Sequence, residues 1–150
     1  MPMIDLTVGR GSVRDAKRAD LLEELATILL RWEGAPDTEF FREITWVYLH
    51  EIEADQLAVG GRGGGSARFR VEVTVPEGAL SPRRKAGLIA DVHGAVVAAA
   101  GLDPHSAQAL HVWTLIREVP EGSWGAAGAV VHFEQLKQTS AAERERSATS

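Results

Sequence analysis

The sequence predicts an α+β fold made of a tandem β-α-β repeat, with a four-stranded sheet carrying two helices on one face. Three observations carry that prediction. Identical residues recur 67 positions apart: Gly11 and Gly78, Gly34 and Gly101, Trp46 and Trp113, Glu51 and Glu118, Gly61 and Gly128. Within each copy the apolar period switches from that of a strand to that of a helix and back. With 150 residues, 45% of them hydrophobic and 25% charged, the chain has the size of one compact domain that buries its own core.

Residues 2–8 alternate, with Ile4, Leu6 and Val8 on one side and Met3, Asp5 and Thr7 on the other, the pattern of a half-buried strand. From Arg14 to Trp32 the period changes: Leu21, Leu22, Leu25, Ile28, Leu29 and Trp32 make one helical stripe, which Gly34 and Pro36 end. Residues 44–52 return to strand character. In the second copy Phe69, Val71, Val73 and Val75 form a strand, and Ser81 and Pro82 stand at the N-cap and first position of a helix. Leu88, Ile89, Val92 and Val96 are its buried stripe, Gly101 closes it, and residues 111–119 form the fourth strand.

A helix of this length between two strands makes a right-handed crossover, so the strands of each unit are parallel neighbours with both helices on the same side of the sheet. In the outer strands Trp46 and Tyr48 alternate with Val47 and Leu49, and Trp113 and Leu115 with Thr114 and Ile116. Both faces are thus largely apolar while the helices cover only one, which predicts a partner subunit on the other. The units span residues 2–61 and 69–128. The glycine-rich stretch 60–66 reads as a junction: a phosphate-binding loop would open into a helix, and this one leads into a strand. A single domain is expected over 1–138. The tail 139–150, rich in Ala, Ser, Glu and Arg, is expected as frayed helix or disorder and carries no assigned function.

Composition narrows the chemistry. The absence of cysteine excludes disulfides, thiolate zinc sites and thiol nucleophiles. A net charge of −5 without a large basic cluster argues against nucleic acid as a partner. No apolar run approaches membrane-spanning length and no leader pattern opens the chain, so a cytoplasmic protein with no membrane partner is expected. His50, His93, His105, His111 and His132 show no helical i, i+4 pair, and there is no Gly-x-Ser-x-Gly elbow, so neither a metal nor a serine nucleophile is expected. Glu23 and Glu24 read as a solvated helix face.

The repeat fails at its first residue. Pro2 follows Met1, whereas the position 67 residues later is Phe69. Once Met1 is removed, only the first copy carries a free prolyl amine. An α-amino group titrates at about 7.7–8.0, and an apolar or cationic surrounding lowers that value, leaving a base, nucleophile or protonated acid at neutral pH.

The run His111-Val112-Trp113-Thr114-Leu115-Ile116-Arg117-Glu118-Val119-Pro120-Glu121-Gly122-Ser123-Trp124-Gly125-Ala126-Ala127-Gly128 resembles the second strand and following hairpin of the tautomerase superfamily, 4-oxalocrotonate tautomerase type. With Pro2 at the start and Gly9-Arg10 closing the first strand, the likeness covers residues 2–133, more specifically in the second half. It implies the tautomerase/MIF-like fold in its long fused form, a homotrimer, no cofactor, and a small enolisable oxo acid as substrate. By position it makes Pro2 the catalytic base or acid and sets Arg10 near the family's carboxylate-binding arginine, although the first strand is one residue shorter there. Trp124 falls where the family keeps an aromatic wall. Trp113 stands where short members carry another carboxylate-binding arginine, a departure that Arg117, on the same side of the strand, would repair unless it pairs with a surface glutamate. His50, with Tyr48 beside it, occupies the equivalent place in the first copy, as an enolate donor or a structural histidine.

Dehalogenase and decarboxylase relatives carry paired arginines just after the first strand of the second unit. Here that stretch is Pro76-Glu77-Gly78-Ala79, and arginines come only at Arg83 and Arg84. Two alternatives stay open beside the tautomerase reading: a non-enzymatic ligand-binding or assembly module of the same fold, and hydratase or dehalogenase chemistry on an unsaturated acid.

Overall fold

The computed structural model describes residues 2–150. The first unit comprises β1 (Met3–Gly9), α1 (Asp15–Glu33), a short α2 (Glu39–Glu43) and β2 (Trp46–Ile52), followed by a hairpin of β3 (Ala58–Val59) and β4 (Arg62–Gly63). The second comprises β5 (Phe69–Pro76), α3 (Pro82–Ala99), β6 (Val112–Val119) and a hairpin of β7 (Gly125–Ala126) and β8 (Ala129–Val130), after which comes α4 (Phe133–Thr149). The main sheet runs β2-β1-β5-β6. Strands are parallel within each unit, and the units meet antiparallel at β1 and β5, with Met3 opposite Thr74 and Thr7 opposite Arg70. That seam relates the two units by an approximate two-fold axis. No helix among the described residues is long and apolar enough to cross a membrane.

Burial follows the predicted alternation. Ile4, Leu6, Val71, Val73 and Val75 are completely buried on the helix-covered face, against Leu25 and Leu29 of α1 and Leu88, Val92 and Val96 of α3. Each such side chain contributes about 1.5–3 kcal/mol by leaving water. Ile89, expected in the α3 stripe, is instead exposed. The helices lie side by side, and Gly87 makes room for Trp32, whose indole N–H donates to Asp91 at 2.8 Å.

Several of the recurring residues have matched structural tasks. Gly34 and Gly101 adopt φ of 70° and 67° at the helix ends, and their N–H groups close the last turns on Arg31 and Ala98. Glu51 accepts from Arg18 at 2.7 Å and Glu118 from Lys85 at 3.2 Å, each tying a helix to its outer strand. Arg18 and Lys85 are themselves 67 positions apart. Trp46 and Trp113 donate their indole N–H to the carbonyls of Glu43 and Leu110, three residues upstream in each copy.

Three further local features add to the reading of the sequence. Residues 39–43 form α2, and the strand expected from 44 begins at Trp46; Thr38 caps α2 by accepting from the Phe41 N–H, and five residues are too few to show a period. The first part of the junction 60–66 turns between β3 and β4, with positive φ at Gly60 and Gly61 suited to a type I′ turn. Its counterpart is the turn at Ala127 and Gly128 between β7 and β8, so the repeat extends through the hairpin. The tail 139–150 continues α4 almost to its end, because Ala, Glu and Arg are good helix formers and Glu121 anchors the start, accepting from the Phe133 N–H at 3.2 Å. Those hydrogen bonds, from His132 and the Phe133 N–H, hold the Glu121 carboxyl below its ordinary range.

Candidate active site

A cleft of about 430 Å³ opens at the end of the sheet where β1 begins and β5 ends. The strand-helix-strand order brings the C-terminus of α1 and the N-terminus of α3 to that same end. Pro2 forms the buried floor, just ahead of β1, and its carbonyl accepts from the Trp46 N–H at 3.3 Å. Phe41 and Pro76 are buried beside it, and Phe133 and Leu136 of α4 close the apolar side. Whether Met1 is retained, on which the Pro2 amine depends, lies outside the described residues.

The polar side is cationic. Ser81 accepts from the Arg84 N–H at 3.2 Å, fixing Arg84 in the first turn of α3. Arg144 comes from α4, and the two guanidinium groups converge over Gly34: a Cβ there would lie 3.5 Å from Arg84 Nη1 and 3.6 Å from Arg144 Nη2. Neither arginine makes an ion pair among the described residues. Lys137 also lines the cleft, although its ammonium pairs with Glu134 at 3.2 Å. Two unpaired guanidinium groups at the mouth of an apolar pocket are suited to hold a carboxylate.

One carboxyl shares the cleft. Glu33, the last residue of α1, keeps an edge toward solvent, but its Oε1 is buried and has no hydrogen-bond partner among the described residues. Desolvation pushes this carboxyl up to about 7.

The other residues singled out from the sequence lie elsewhere in the protomer. Trp124 lines a small neighbouring cavity with Pro120 and Val131 that shares Pro76, Phe133 and Leu136 with the main cleft, so it backs the wall rather than facing Pro2. Arg10 sits at the opposite end of β1, about 25 Å from Pro2 by strand rise. There it donates to Glu53 at 2.5 Å, a hydrogen bond that raises its pKa further. Tyr48, His50, Trp113 and Arg117 share the sheet face that no helix covers. His50 Nε2 lies 2.8 Å from Asp5 Oδ1 with the Tyr48 ring stacked on it, and Arg117 donates to Glu72 at 3.3 Å. The indole anchor that Trp113 shares with Trp46 is a feature of the repeat, not of the cleft.

Sequence reading missed Glu33, Phe41, Lys137 and Arg144 and left Arg84 without a role. A signal for three of them was present: one repeat away, Glu33, Phe41 and Arg84 are replaced by Ala100, Gln108 and Lys17. Those departures, like that of Pro2, gather at one end of a symmetric sheet.

Comparison with known proteins agrees with this architecture. A family model described as Tautomerase enzyme matches residues 70–134. The structure of a fused 4-OT described as a wild-type symmetric trimer is 26% identical, with 85% of this chain and 94% of that one covered at a TM-score of 0.70. A member of the cis-3-chloroacrylic acid dehalogenase family, N1, shares the fold at 18% identity, 91% and 89% coverage and a TM-score of 0.71. Macrophage migration inhibitory factor of Toxoplasma gondii shares it at 11% identity, 86% and 99% coverage and a TM-score of 0.66. No curated protein matches the chain in sequence. The second unit thus matches the tautomerase family model, and the fused two-unit fold is shared with a fused 4-OT over most of the chain.

Proposed function

We propose that the protein is a cofactor-independent keto–enol tautomerase that acts on a small enolisable oxo acid, with Pro2, freed of Met1, as the proton-transferring base. The observation that carries this reading is the cleft itself, which the buried Pro2 lines together with Arg84 and Arg144, neither of them in an ion pair among the described residues. Apolar walls and neighbouring cations both disfavour a protonated amine, which keeps the Pro2 nitrogen basic and unprotonated near neutral pH. The arginines hold the substrate carboxylate, orient the enol over Pro2 and stabilise negative charge that develops on its oxygen. A buried proline then needs no metal or prosthetic group to move a proton.

The uncovered sheet face supports assembly. Trp46, Tyr48, Trp113 and Leu115 are 56, 45, 70 and 41% exposed there, a large apolar area for a protein in water. We assign that face to contact between copies of the chain in a cytoplasmic homotrimer, the state named for the fused 4-OT neighbour. In such an assembly Arg10, His50, Tyr48, Trp113 and Arg117 would approach a Pro2 cleft only from a neighbouring copy.

Pro2→Ala tests the reading on the enol of phenylpyruvate, followed by its ultraviolet absorbance. Loss of catalysis with fold and assembly intact is expected, together with an intact mass lacking Met1. A retained methionine, or full activity in the variant, would turn the assignment toward a ligand-binding or assembly module. Halogenated or unsaturated acids turned over in place of the enol would favour the dehalogenase or hydratase alternative.

A further inference from the structure

Glu33 is held where an ionised carboxylate is disfavoured in several ways. It ends α1, where the helix dipole is negative; its Oε1 has left water; and no donor among the described residues replaces that water. Nothing in the packing requires the group, because the equivalent end of α3 in the other copy carries Ala100 and keeps the same glycine turn. The charged side chains that line the cleft with it are all cationic: Arg84 from α3, and Lys137 and Arg144 from α4. No second carboxylate lines the cleft among the described residues. An acid in this setting keeps a protonated share near neutral pH that an ordinary carboxyl does not, and its conjugate base forms among positive charges.

We infer that Glu33 is a second catalytic residue, the carboxylic acid that delivers a proton to the substrate carbon while Pro2 accepts one from the substrate hydroxyl. This rests on the reading of Pro2 as a base. In the step, the enol O–H pair becomes the second bond of the new carbonyl as its proton passes to the Pro2 nitrogen. The C=C pair takes the Glu33 proton as a new C–H bond, and the carboxyl O–H pair stays on Glu33. Pro2 ends protonated and Glu33 ionised. Transfer of the proton back from Pro2 to Glu33 across the cleft restores both groups, with no net gain or loss.

The test uses the full chain with Glu33→Gln, which keeps the shape and removes the exchangeable acid, and with Glu33→Asp and Pro2→Ala beside it. On the enol of phenylpyruvate, Glu33→Gln should lower kcat by about 100-fold or more with KM little changed, and Glu33→Asp should recover part of the loss. The limb of the wild-type kcat profile that falls as pH rises through neutrality should vanish in Glu33→Gln. Wild-type kcat and an unchanged limb in that variant, with Pro2→Ala inactive, would overturn the role of Glu33 and leave the Pro2 reading standing. Full activity in Pro2→Ala would overturn both. Should Glu33→Gln fail to fold, the wild-type profile decides: kcat that does not fall between pH 6 and pH 8 refutes the proposal.

Discussion

Replacing Glu33 with Gln should also change how stability depends on pH, whatever the protein catalyses. The carboxyl rises from 4.5 to about 7 on folding, so between those values the native state binds more protons than the unfolded chain. Stability from this group is therefore fully present below about pH 4.5 and is lost as pH rises toward 7. A shift of this size corresponds to about 3 kcal/mol at most, since each unit is worth about 1.36 kcal/mol. A glutamine at 33 does not titrate, and its own burial cost is the same at every pH, so it drops out of a comparison across pH. Urea unfolding of both proteins at pH 4.5 and pH 8, at one fixed concentration because assembly contributes, measures the difference. Relative to wild type, the variant should gain up to about 3 kcal/mol between the two pH values, or about 1–2 M in urea midpoint for a chain of this size. A difference between the proteins that is the same at both pH values, or that grows toward acid, would refute the buried-acid reasoning.

Gly87→Ala should destabilise the fold by about 1–2 kcal/mol despite the better helix propensity of alanine, because its Cβ would stand 2.1 Å from the Trp32 ring; the penalty should vanish in a Trp32→Ala background, read by thermal melts. Arg84→Ala and Arg144→Ala should each raise KM for the phenylpyruvate enol by about 10-fold or more without loss of stability, the worth of a charge-assisted hydrogen bond, while an uncharged ester of the same enol should bind both variants as it binds wild type. Leu115→Asp should convert the assembly to protomers in sedimentation experiments, since it replaces an exposed apolar side chain on the edge strand β6 of the uncovered face by a charge beside Glu72. Glu121→Ala should speed proteolysis within α4, which buries none of its residues and depends on Glu121 for its start.

The fold was largely legible because its signals are local and doubled. Alternation in 3–8 and 69–75, helical stripes ended by Gly34 and Gly101, and the Ser81-Pro82 start each needed only neighbours in the chain, and the repeat stated each of them twice. Pro2 drew attention for the opposite reason, as a break in the repeat. The rest of the cleft depended on distance. Arg84 and Arg144 are 60 positions apart in sequence, and only the return of α4 across the end of the sheet brings them over Gly34. Composition alone marks α4 as solvated, and most of it is; its contribution comes from single side chains spaced along one face. Trp113 and Arg117 drew attention through position in a strand, but strand position fixes only the face, and theirs is the face away from the protomer's own cleft.

The recurring and the non-recurring residues divide by task. The glycines, tryptophans and glutamates that repeat set the helix ends, anchor the outer strands and tie helix to sheet, work that a two-fold arrangement needs equally at both ends. Pro2, Glu33, Phe41 and Arg84 do not repeat, and all four meet in one cleft, with Phe69, Ala100, Gln108 and Lys17 at their counterparts. The copies differ at most positions, including both ends and the solvated helix faces, and what sets these four apart is that they line one cleft together. Their convergence on one buried floor indicates that a symmetric scaffold has one specialised end. The consequence is measurable: introducing Phe69 chemistry at the working end, by Pro2→Phe, should remove activity while the sheet persists, because the opposite end already tolerates that ring in full burial at 3% exposure.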